Sequence, residues 1–213
     1  MVEKTENSFD YYLIGSDNTK SVPLLMPYKD QSTSFILGRE PIDFNNKPDD
    51  FNGLMELCFS PPIPAKPKMV DFHELPSSVF SKKIYDVLQP MNIDGLQLLP
   101  ARVMGKNNEI YNDYFVAYIY KRIKCLDMDH SVYDVSKVDG KISWVHRFFI
   151  DKNVLKKIPL KERLVFLLEE DMPKRIYHKS VVDVIMGTKP IGIKFYPIPE
   201  WYEGIQFDNE EEL

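Results

Sequence analysis

Glycine is scarce, with nine residues in 213. That leaves little material for a phosphate-cradling loop. No GxGxxG follows a strand pattern, and no GxxxxGK[ST], CxxC or HExxH occurs. A GxSxG nucleophile elbow is also missing. Cysteine is scarcer still, limited to Cys58 and Cys125. A disulfide between them is open on paper, but two small buried hydrophobes are the expectation for a reducing compartment. No apolar run approaches the roughly eighteen residues that cross a bilayer, so no membrane partner is expected. The opening MVEKTENSFD lacks the basic start and apolar centre of a signal peptide, which places the chain in the cytoplasm as an expectation. A basic surplus is absent too. Net charge is −5, and Asp208, Glu210, Glu211 and Glu212 in the tail FDNEEEL supply four of those charges. Nucleic-acid binding needs a basic face to displace counterions, so no nucleic acid is expected as partner. The one local exception, DKNVLKKIPLKER, reads as a solvated face.

What is present suits a folded protein. Apolar residues make up 44% and charged residues 28%, a globular balance over a length of one large or two small domains. Residues 1–67 hold eight of the sixteen prolines. SPPIPAKPK, Ser60 to Lys68, reads as an extended linker, because proline fixes φ and removes a donor. The expected division is an N-terminal β and loop portion over 1–67, an α+β domain over 68–206, and an acidic tail over 207–213.

In the first portion, FDYYLIG and GLMELCFS read as strands, with a turn-rich acidic loop, EPIDFNNKPDDFNG, between them. In the second, LPSSVFSKKIYDVLQPM reads as a helix capped by Ser77 or Ser78, with Phe80, Ile84, Val87 and Leu88 inward and Pro90 as its stop. GLQLLPARVMG is a strand whose Pro100 predicts an edge or a bulge. EIYNDYFVAYIYKR is apolar or aromatic throughout Tyr114 to Tyr120, which predicts a central strand covered on both faces. GKNNE between these two predicts an antiparallel hairpin. KISWVHRFFID and ERLVFLLEED are further strands, separated by a short helix that Asp151 caps. YHKSVVDVIMG predicts a second helix with Val181, Val182, Ile185 and Met186 inward and Gly187 at C′. IGIKFYPI is the last strand. The order predicts α+β with a largely antiparallel sheet.

The densest polar stretch is CLDMDHS. Strand alternation would put Cys125, Asp127 and Asp129 on one side and Leu126, Met128 and His130 on the other. One reading is a paired carboxylate with His130 as base or ligand, a small metal-dependent hydrolase. The other is structural: Asp127 or Asp129 accepts backbone N–H groups and Ser131 starts a turn, as short polar side chains at element ends often do. The sequence favours the structural reading. Neither His73, His130, His146 nor His178 has a ligand spacing, so no metal or cofactor is expected.

The ordered series VDFHEL, SSVFSKKIYDVLQPMNIDGLQLLPARV, YFVAYIY, CLDMDHS, IPLKERLVFLLEED, YHKSVVDVIMG, PIGIKFYPI and EWY resembles a family of bacterial immunity proteins that neutralise polymorphic toxins. The resemblance runs from Lys68 to Trp201, about two thirds of the chain. It departs from the family at Leu167, where an arginine is frequent, and at His178, where a serine cap is common. The resemblance implies a non-enzymatic inhibitor that binds one cognate toxin, a protein partner, stoichiometrically. Were that toxin a nuclease or another basic enzyme, Asp43, Asp49, Asp50, Asp208, Glu210, Glu211 and Glu212 would speed encounter. An adaptor of a secretion or toxin locus is the further alternative. The sequence leaves monomer and homodimer open.

Overall fold

The longest strands among the described residues are the two arms of one hairpin, Leu96–Met104 and Ile110–Ile119. They register antiparallel from Leu96 opposite Ile119 to Met104 opposite Ile110, as the GKNNE turn predicts. Gly95 shuts the open end. Its carbonyl accepts the Tyr120 N–H at 2.9 Å. Its φ of +82° suits glycine, and a Cβ there would lie 2.2 Å from Lys121 Cβ.

The computed structural model describes residues 10–17, 20–28, 53–171 and 174–205. Among them the chain order begins with β1 (Tyr11–Ser16), β2 (Leu25–Pro27), β3 (Met55–Phe59), β4 (Phe72–His73), β5 (Val79–Ser81) and α1 (Lys82–Leu88). The hairpin arms are β6 and β7, followed by β8 (Arg122–Ile123), β9 (Val132–Val135), β10 (Ile142–Arg147) and α2 (Lys152–Leu155). Then come β11 (Val165–Leu168), β12 (Arg175–His178), α3 (Lys179–Gly187) and β13 (Ile193–Pro197).

The strands form a six-stranded sheet, β2-β3-β6-β7-β5-β4, a five-stranded sheet, β13-β1-β12-β11-β8, and a β9–β10 pair. Among the described residues only β3–β6 and β8–β11 run parallel, so the fold is α+β with largely antiparallel sheets. Strands on both sides of the proline-rich stretch share sheets. β1 lies between β12 and β13, and β3 runs beside β6.

The five-stranded sheet is the middle layer. β11 is buried at all four positions. Val165 and Leu167 pack with Phe80, Ile84, Val181 and Ile185 on one face, while Phe166 and Leu168 pack with Val145, Phe148 and Trp201 on the other. β7 repeats this logic: Ala117 and Ile119 enter the helix-side cluster, and Val116 and Tyr118 a third cluster with Leu57 and Leu99. Continuous apolar runs are what strands covered on both faces require. Arg163 is buried among them. Its guanidinium donates to the Ile158 carbonyl at 2.7 Å and to the Tyr11 hydroxyl.

Several local expectations change. The first helix begins at Lys82, not at Ser77 or Ser78, because Val79 and Phe80 pair with Val116 and Phe115 as β5. Ser77 Oγ donates to the Ala117 carbonyl, and Ser81, at the N-cap position, gives its hydroxyl to Asp71 at 2.7 Å. Pro100 lies opposite Phe115, next to Ala101, where pairing to β3 starts, and a register shift follows between Ala101 and Val103. Met186 is exposed, and Gly187 is the last residue of α3 with Thr188 as its cap; the left-handed position falls to Lys189, at φ 53°. His178 is the N-cap of α3, its Nδ1 accepting the Ser180 N–H at 3.2 Å. Asp151 caps α2 by accepting from Asn153 N–H at 2.8 Å.

Candidate interaction surface

The CLDMDHS stretch leaves β8 and turns. Cys125 and Leu126 are both buried, so the strand alternation expected across them does not hold. Leu126 bridges Ile150, and the Cys125 carbonyl accepts from Asp151 N–H, which anchors the stretch beside the segment after β10. At Asp127 the chain reverses: Ser131 N–H donates to the Asp127 carbonyl at 3.0 Å. Asp127 Oδ1 accepts the backbone N–H groups of Asp129 and His130 at 3.2 and 3.3 Å. Its carboxylate also faces His130 Nδ1 at 2.9 Å. That hydrogen bond pulls the Asp127 carboxyl below its ordinary range and pushes the His130 imidazole up. Ser131 Oγ accepts the Phe149 N–H. Asp129 is exposed. Among the described residues, no three His, Cys, Asp or Glu side chains converge as a metal site.

The segment tied down by this turn is the β9–β10 hairpin. Tyr133, Ile142 and Val145 pack inward on the middle-layer core. Register shifts between Ile142 and Trp144 and between Val145 and Arg147 break the two-residue period. They leave Trp144 directly opposite Asp134 and half exposed. His146 is held from two sides, its Nε2 at 3.0 Å from Asp134 Oδ2 and its Nδ1 at 2.8 Å from Glu203 Oε2. The same Glu203 oxygen accepts the Trp144 indole N–H at 2.7 Å, and Glu203 N–H donates to the His146 carbonyl. Hydrogen bonds to Asp134 and then Glu203 raise the His146 pKa, and the indole donor lowers that of Glu203. Lys174 Nζ stands 4.4 Å from the Trp201 ring centre and 5.9 Å from that of Trp144. The cluster gathers an aromatic ring, two carboxylates and a histidine at the surface, which suits protein recognition.

Another histidine stands apart. His73 is buried beneath a cleft lined by Ser16, Leu24, Leu25 and Leu75. Its Nδ1 donates to the Pro23 carbonyl at 3.1 Å, and burial pushes its pKa down to about 4.

Asp43, Asp49, Asp50, Asp208, Glu210, Glu211 and Glu212, with most of the turn-rich loop, lie outside the described residues. Leu167 is buried in the core rather than at a contact surface. The Trp144 cluster was not legible as a site. Two bulges disguise which face of KISWVHR is outward, and Glu203 arrives from 59 positions beyond Trp144.

The model of the immunity protein family Imm11 matches residues 10–200. The match spans the proline-rich stretch and the strands before it. No curated protein matches the chain.

Proposed function

The chain belongs to the Imm11 immunity protein family, and from that premise we propose that it neutralises a cognate toxin by binding it one-to-one, without turnover. The family match over residues 10–200 carries this reading, since it takes in all thirteen strands found among the described residues. The toxin's active site or an essential surface is covered in the complex. The chain acts in the cytoplasm of the cell it protects. In keeping with that, no helix among the described residues is long and apolar enough to cross a membrane. The loop carboxylates Asp43, Asp49 and Asp50 and the tail carboxylates Asp208, Glu210, Glu211 and Glu212 accelerate encounter with a basic toxin by long-range attraction. Co-expression with the toxin domain encoded beside its gene tests the proposal. Growth is restored when the chain is present. Persistent killing with the chain expressed and folded would refute it.

A further inference from the structure

The β9–β10 hairpin turns an unusual outer face to solvent. Trp144 is 48% exposed and Val132 55% exposed. Asp134, the cross-strand partner of Trp144, has a side chain 67% exposed. The polar handle of Trp144 is already satisfied, because its N–H is bound to Glu203. What the indole still offers is ring surface, with a carboxylate directly across the strand pair.

That pairing has a specific complement. A guanidinium stacks on an indole face and at the same time forks onto a neighbouring carboxylate, which an ammonium does less well. The chain already places one cation near these indoles, with Lys174 Nζ 4.4 Å from the Trp201 ring centre and 5.9 Å from that of Trp144. An exposed tryptophan bordered by carboxylates, with the exposed Val132 on the same hairpin, has the composition of a binding anchor with a polar rim. Resting on the immunity reading, we propose that this face is where the toxin docks, and that the toxin presents a cationic patch with an arginine over Trp144 and against Asp134. A second copy in an isologous contact would set these same carboxylates against each other.

The test uses the full chain and the toxin domain encoded beside its gene. Binding is measured by titration calorimetry, and each variant is first shown to melt cooperatively. Trp144→Ala raises Kd at least about 30-fold, the factor that about 2 kcal/mol corresponds to. Ser143, exposed and next to Trp144, supplies the sign test. Ser143→Arg weakens binding about tenfold or more at low salt, whereas Ser143→Glu stays within about twofold of wild type. Ile110→Ser, on the exposed part of β7, binds as wild type does. Wild-type affinity in Trp144→Ala and both Ser143 variants would overturn the surface while leaving immunity intact. Equal losses in Ser143→Arg and Ser143→Glu would overturn the cationic partner. A wild-type dimer that Trp144→Ala converts to monomer would make the face a self-interface and overturn the proposal. A wild type that neither binds nor protects would remove the immunity reading and this proposal together.

Discussion

Ser131 Oγ accepts the backbone N–H of Phe149 at 3.0 Å, across 18 positions of sequence. This bond and the Asp127 carboxylate bonds to Asp129 and His130 N–H fix the turn from which β9 starts. The hairpin that carries Trp144 is therefore aimed by this turn.

Replacing Ser131 with alanine leaves the half-buried Phe149 N–H without its acceptor. Ser131→Ala, like Asp127→Ala, lowers stability by about 0.5–2 kcal/mol in urea unfolding, while the folded protein still binds toxin. Lost binding at unchanged stability would make the turn part of the interface.

His73 sets an acid limit. Its folded-state pKa, about 4, lies below the ordinary 6.5. Below pH 6.5 the unfolded chain takes up a proton there and the folded chain does not. The stabilisation is complete above pH 6.5 and is lost as pH falls toward 4, for about 3 kcal/mol in all. In His73→Asn, whose amide can still donate to Pro23, unfolding curves between pH 7 and 4 lack that component. Equal pH dependence in the two proteins would show that His73 is not held neutral.

Burial raises the pKa of both thiols, and Cys125 is almost wholly enclosed. At pH 8 in native buffer iodoacetamide modifies Cys125 only after denaturant is added, with Cys58 the faster of the two. Mass spectrometry reads the outcome directly. Rapid native labelling of Cys125 would contradict the enclosed environment.

Leu167 is 6% exposed and packs in the helix-side cluster. Leu167→Arg buries an unpaired guanidinium and lowers stability by about 3 kcal/mol or more. Denaturant midpoints check this, and a neutral effect would mean that the site opens to water.

Much of the architecture could be read from single stretches. YFVAYIY is apolar at consecutive positions, and β7 is covered on both faces there. Val181, Val182 and Ile185 recur at helical spacing, and α3 buries all three. Phe80 misled because it stands four residues before Ile84, so a strand running straight into a helix imitates one longer helix. The rest depended on long-range geometry. That Asp127 and Ser131 are the types that bond backbone is a local rule, but Phe149 as a partner is not visible locally. Nor is the meeting of Asp134, Trp144, His146 and Glu203, which two bulges and a distant turn bring about.

Stoichiometric neutralisation is tested most directly by titrating a fixed amount of the purified toxin domain with this chain and following residual toxin activity. The account predicts a linear fall to zero at one chain per toxin, with a complex of that composition in solution. Undiminished activity at excess chain would contradict it, as would complete loss at a small fraction of one equivalent, the mark of an enzyme destroying its target.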